Sequence, residues 1–183
     1  YRLFRNDPRI RFRGSMHETM LPDIERLQRE SGAKVITSEV EMVHLGYEQG
    51  SEWKHERNLP LLRAAIEQTP DRLYYWYHLA VTLAGLGRND EAIDVGAEGM
   101  RRARDVIVGD QRNSAIAALV AMTHARLLHL RGDDALPTIL EGYGFYPRNP
   151  SLQLLEAQIR LDRDEAETAL MILSELAAQD GRT

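Results

Sequence analysis

The sequence predicts a mainly α protein, with packed helical hairpins over residues 51–183 preceded by a small α+β segment over residues 1–50. Three observations carry that expectation. From Leu59 onward apolar residues recur at the 3.6-residue period of amphipathic helices. Turn signals at Pro70-Asp71, Gly87-Arg88-Asn89, Gly132-Asp133-Asp134 and Pro147 cut this pattern into hairpin-sized lengths. Over residues 3–5 and 10–13, apolar and basic residues instead alternate with period two, as in strands with one wet face.

Residues 72–104 set the register for the helical part. Trp76 is followed by Leu79, small Ala80 and Leu83, and Ala92 falls where the second helix must pass close to the first. This is the W-x2-L-G-x2-Y…A spacing of a tetratricopeptide repeat, with Ala for Gly and Leu for Tyr. Large residues one turn apart fill the hairpin, and small ones let the partner backbone approach. One such hairpin cannot bury its apolar stripe alone, so neighbours must stack on it. The expected architecture is a tetratricopeptide-like α-α superhelix, or solenoid.

The register extends in both directions. Upstream, a helix over residues 52–69 carries Leu59, Leu62, Ala65 and Ile66 on one face. Ala65 and Pro70 take the small and terminal positions of a repeat lacking a regular first half. After Arg104 the register slips by about eleven residues, read as an extension and loop over 105–110. Asn113-Ser114 then offers an N-cap for a long helix through Leu130, with Ala125 and Leu128 in the small and large positions and a return helix over 135–143. From Pro147 the register resumes, with Ala157, Ala169 and Leu173 in the last hairpin, over 151–160 and 165–179. About three and a half repeats result, above the minimum of roughly three for stability.

Residues 1–47 read differently. Leu3-Phe4-Arg5, Ile10-Arg11-Phe12-Arg13 and the β-branched run over 33–45 are strand-like. Asn6-Asp7-Pro8-Arg9 supplies a turn. Residues 22–29 form a brief helix with Pro at its first turn, stopped by Ser31-Gly32. Strands this few belong at the edge of a larger sheet.

Composition narrows function. A net charge of −5 without a basic, aromatic-interleaved stripe argues against nucleic acid as a partner. No window approaches the ~18 apolar residues of a membrane span. With no signal-peptide pattern and no cysteine, the cytoplasm is the default compartment, and thiolate or disulfide chemistry is excluded. The chain starts at Tyr1 in mid-pattern, as a piece of something longer would.

Candidate chemistry is sparse. His17-Glu18 follows a strand-like run and a glycine, and His44 ends another, so either imidazole is a candidate ligand for a divalent ion. Tyr74, Tyr75 and Tyr77 flank a core Trp76 and are candidates for lining an acceptor or peptide groove. His124 and His129 are five apart and share no helix face. Arg101-Arg102-Ala103-Arg104 suits a helix C-terminus, Gly142-Tyr143-Gly144 reads as a helix end, and no nucleophile elbow or triad spacing is visible.

The run Arg2-Leu3-Phe4-Arg5-Asn6, Ile10-x-Phe12-x-Gly14, His17-Glu18, His44-x-Gly46-Tyr47 and Arg57-Asn58-x-x-Leu61-Leu62 resembles the C-terminal end of family 2 glycosyltransferases. More narrowly, it resembles the subgroup whose GT-A domain precedes tetratricopeptide repeats. The resemblance covers residues 1–70 in motif and the remainder in architecture. It implies a nucleotide-sugar donor, a divalent metal (Mn or Mg) on an Asp-x-Asp motif, an acidic base, and a late histidine completing the metal site. His17 matches that histidine, with His44 as the alternative, and Arg2 and Arg5 are candidates to face phosphate. The sequence departs from the family in lacking the base, the nucleotide-binding half and an Asp-x-Asp in that setting. The spacing recurs only at Asp162-Arg163-Asp164, as turn chemistry. The implied reading is the C-terminal part of a transferase, inactive alone, whose repeats grip a peptide or protein acceptor or pair subunits as a homodimer. The alternative is a non-catalytic scaffold for protein–protein interaction.

Overall fold

The computed structural model describes residues 4–13, 19–36, 52–106 and 111–180. Among them lie eight helices: α1 (Leu21–Ser31), α2 (Glu52–Gln68), α3 (Leu73–Gly85), α4 (Asn89–Val106), α5 (Gln111–Arg131), α6 (Leu136–Phe145), α7 (Pro150–Asp162) and α8 (Ala166–Asp180). The chain divides into two compact units, Tyr1–Ser51 and Glu52–Thr183.

In the first unit, strands are expected over residues 3–5, 10–13 and 33–45; residues 3 and 37–45 lie outside the described residues, and the described residues contain no strand. One isolated antiparallel bridge joins Arg13 and Thr19. Alternating apolar and basic residues suit a pleated edge, but a ladder also needs a partner strand to take its backbone groups. Those groups go elsewhere. Asp23, in the first turn of α1 and 4% exposed, accepts the Arg11 N–H at 3.0 Å and the Arg13 guanidinium at 3.1 Å. Arg26 reaches the same carboxylate at 3.1 Å. The hydrogen bond from Arg13, then that from Arg11, holds the Asp23 carboxyl below its usual range. The helix itself is as expected, with Pro22 in its first turn and Gly32 at φ +66° closing it.

The second unit is helical throughout its described length. Each helix packs on the next from α2 to α8, and α3 also packs on α5, and α5 on α7. Three hairpin turns share one construction. A residue in the left-handed region (Gly87, Gly132, Asp164) is followed by an N–H that reaches back to close the preceding helix. The bonds are Arg88 to Leu83 at 2.9 Å, Asp133 to Leu128 at 2.9 Å and Glu165 to Arg160 at 2.8 Å. Such short connections force neighbouring helices antiparallel.

Small residues set the spacing. Ala65, Ala80, Ala92, Ala125, Ala157 and Ala169, all read from sequence as small positions, are at most 4% exposed. At Gly99 a Cβ would lie 2.9 Å from Val120 Cγ1 and 3.2 Å from Trp76 Cβ, so α4 depends there on a bare backbone. Between the helices sit Leu73, Leu83, Val120, Ile139, Leu152 and Ile159, each below 3% exposed. Trp76 lies partly buried against α4 and donates its indole N–H to the Pro70 carbonyl at 2.7 Å.

Several local expectations are corrected. Residues 105–106 continue α4, and α5 begins at Gln111, so Asn113 lies inside the helix instead of capping it. Residues 105–106 and 111–113 therefore lengthen two helices, where each added turn keeps its backbone bonded, and 107–110 lie outside the described residues. Gly142-Tyr143-Gly144 does not end α6, which runs to Phe145. Gly142 is buried, and a Cβ there would meet Leu152 Cδ1 at 2.8 Å and Ala121 Cβ at 2.9 Å. Among the described residues no helix is long and apolar enough to cross a membrane.

Ile139→Ala should lower unfolding free energy by about 2–5 kcal/mol, as a buried cavity does. Gly99→Ala should also destabilise, because overpacking of about 1–3 kcal/mol exceeds the ~1 kcal/mol helix-propensity gain. Urea unfolding followed by circular dichroism checks both signs.

Candidate functional site

Because α3, α5 and α7 pack on one another in turn, their outward residues form a shared face. On α3, Tyr74 and Tyr77 are half-buried and both lean edge-on to His78, with ring centroids 4.2 Å and 4.8 Å away. Tyr77 also packs against the core. The Arg72 guanidinium stands 5.9 Å from the Tyr74 ring centre and 4.7 Å from that of Tyr75. Burial pushes the Tyr74 hydroxyl above its usual pKa. Tyr75 lies elsewhere: it is 4% exposed and its hydroxyl takes a 3.0 Å hydrogen bond from Arg72. Its ring is core, because residues two apart on a helix point roughly opposite ways.

Farther along, Met122 and Arg126 of α5 and Ser151, Leu154, Leu155 and Gln158 of α7 line a groove of about 420 Å³. Leu154 is 58% exposed, and nearby in the two helices Leu161 is 46% and Leu130 73% exposed. Arg126 makes no ion pair among the described residues, whereas most of its fellow arginines in the second unit do. None of these groove residues was anticipated from sequence. The available signal was Leu154 and Leu161, seven apart on the side of α7 opposite its buried residues.

The side of the unit built by α4 and α6 is different in character. Between these helices a cleft of about 480 Å³ is floored by α5 and lined mostly by charged groups. Arg104 spans it, donating to both Glu141 oxygens at 2.6 Å and 2.9 Å. Glu98 accepts from Arg101 and from Arg102, the latter at 2.9 Å. The Arg101 hydrogen bond leads in holding the Glu98 carboxyl at about 2. The cluster of arginines is thus tied to carboxylates on its own and a neighbouring helix. His124 is 8% exposed and its Nδ1, packed against the Gly96 backbone, has no hydrogen-bond partner among the described residues. Burial holds the imidazole pKa below its usual value, so it stays neutral. His129, by contrast, pairs with Asp162 at 2.8 Å.

The remaining candidates fall in the first unit. His17, Glu18 and His44 lie outside the described residues, as does Arg2. Arg5 is exposed and, with Phe4, Ile10, Ile24 and Leu27, lines a hollow of about 520 Å³. Among the described residues no group of three His, Asp or Glu side chains is placed to hold a metal ion. Comparison with protein-family models and with curated proteins finds no match.

Glu98 gives the pH dependence a definite sign. Its carboxyl is lowered from an ordinary 4.5 to about 2 in the folded chain. It therefore stabilises the fold above the ordinary value, and this contribution is lost as the pH falls through that window. Glu98→Gln should make the acid loss of stability between those two values shallower, as read from urea midpoints across a pH series. An unchanged slope would remove Glu98 from the account.

Proposed function

We propose that residues 52–183 are a tetratricopeptide-like repeat module that grips an extended peptide segment across α3, α5 and α7. The observation that carries this reading is the groove between α5 and α7, where Leu154 is left unburied beside Arg126, a cation that makes no ion pair among the described residues. A helical face with exposed leucines, next to a cation that makes no ion pair among the described residues, suits a peptide with apolar side chains and an acidic residue. The Tyr74–His78–Tyr77 cluster extends the same face along α3 with flat rings of low conformational entropy. The repeat reading is supported by the spacing of the small residues, the shared turn construction and the contact of alternate helices.

The wider protein, on this proposal, is a metal-dependent family 2 glycosyltransferase, and the module presents its acceptor. What favours it is the ordered run of motifs from Arg2 to Leu62, which a plain scaffold does not need. His17, or alternatively His44, would contribute a neutral imidazole to the divalent metal that polarises the donor diphosphate. The non-catalytic scaffold remains the second reading, favoured by the same groove without the chemistry.

Two experiments separate these readings. Peptides selected from a random display library on the whole chain should combine apolar and acidic residues. Leu154→Glu should weaken them by about tenfold or more, and Arg126→Glu should favour basic variants. Binding indifferent to both changes would remove the groove from the proposal. The longer parent, assayed with nucleotide sugars and Mn2+, should turn over and lose metal-dependent turnover on His17→Ala. No turnover with any donor would leave the scaffold.

A further inference from the structure

The cleft between α4 and α6 is separate from the peptide face. On α5, His124 faces the cleft while Arg126, two residues on, faces the groove, as a 100° step per residue requires. Its lining is set by periodicity: Asp94, Ala97, Glu98, Arg101 and Arg104 recur at three and four residues along one side of α4. Their charges do not cancel. Arg104 is held by Glu141 and Arg101 by Glu98, so each guanidinium already has its carboxylate. Asp94 is exposed, on the same stripe, and makes no ion pair or hydrogen bond among the described residues. Among the lining residues three carboxylates stand against two guanidiniums, with Arg102, which shares Glu98, outside the lining.

The floor adds to this. His124 stays neutral in its burial and brings no competing positive charge. It is accommodated only because position 96 is glycine: a Cβ there would lie 2.7 Å from the ring Nδ1. A glycine inside a helix and a buried imidazole nitrogen without a partner are both unfavourable. They coincide beneath one cleft, whose lining includes His124 but not Gly96, and local rules broken together mark functional sites. Ala97 and Met100 supply an apolar wall beside the carboxylates.

We propose that this cleft binds an organic cation with an aliphatic stem, an alkylammonium or alkylguanidinium group. Asp94 takes its charge, Ala97 and Met100 cover its stem, and the neutral His124 ring lies beneath it. Such a group is carried by a free amine or by a lysine or arginine side chain of a protein partner. The two Arg–Glu pairs hold the walls and keep the lining from attracting anions.

The test is a calorimetric titration of the whole chain with arginine methyl ester, with the His124 imidazole signals followed by NMR. Saturable binding that shifts those signals is expected. Asp94→Asn, an exposed change that leaves the core untouched, should weaken it by about tenfold or more. Leu154→Glu should leave it unaltered, which makes the outcome independent of the peptide face. A blocked peptide with a central arginine tells the sources apart: tighter binding than the ester assigns a partner's side chain, weaker binding a free amine. No saturable binding, equal binding by Asp94→Asn, or preferential binding of inorganic phosphate would overturn the proposal.

Discussion

The second unit depends on how closely its helices approach. An amphipathic helix pair presents apolar stripes on both outer edges, and only another pair can cover them. In this chain that contact is made by backbone and small side chains. Along this seam Ala103 on α4 is fully buried in one cluster with Ala117 on α5, while Gly96 lies against His124 and Gly99 against Val120 of the same helix. The bulky residues then sit to either side of the seam, Trp76 against α4 and Val120 against Gly99. A larger residue in the seam would separate the hairpins and expose every leucine they share.

From that packing follow two surfaces with opposite chemistry. Alternate helices α3, α5 and α7 touch, and so make a continuous face, while α4 and α6 do not and leave a cleft spanned by the Arg104–Glu141 pair. The face keeps leucines, tyrosines and Arg126; the cleft keeps carboxylates, paired arginines and a buried neutral histidine. Exposed ion pairs contribute little to stability, about 0–1 kcal/mol each. Their abundance here, at Arg88–Glu91, Arg131–Asp133 and Arg163–Asp134, matters more for which charges are left over. Among the described residues, Arg126 on one side and Asp94 on the other are two of the charges without an ion pair.

Much of the helical part was legible in the sequence because its constraints are local. Small residues every turn, glycine at turns and proline near helix starts report geometry that neighbours impose directly. Ala80, Ala92, Ala125, Ala157 and Ala169 were placed correctly on that basis, as was the end of α1 at Gly32. The strand pattern over residues 4–5 and 10–13 misled because alternation states only that a segment has two faces. Pairing is decided by a partner, and among the described residues Arg11 and Arg13 turn to Asp23 instead. Tyr75 was grouped with Tyr74 and Tyr77 by adjacency, yet a helix sends adjacent residues to different sides. Arg126 and Leu154 look like ordinary surface in sequence. Only the contact of α5 with α7 sets them side by side.

The most direct test of the central claim is hydrogen–deuterium exchange of the whole chain, free and saturated with a groove-selected peptide. The account predicts that added protection falls on residues 74–81, 119–130 and 151–161, the outward segments of α3, α5 and α7. Protection confined to α4, α6 or α8, or to the first unit, would contradict it.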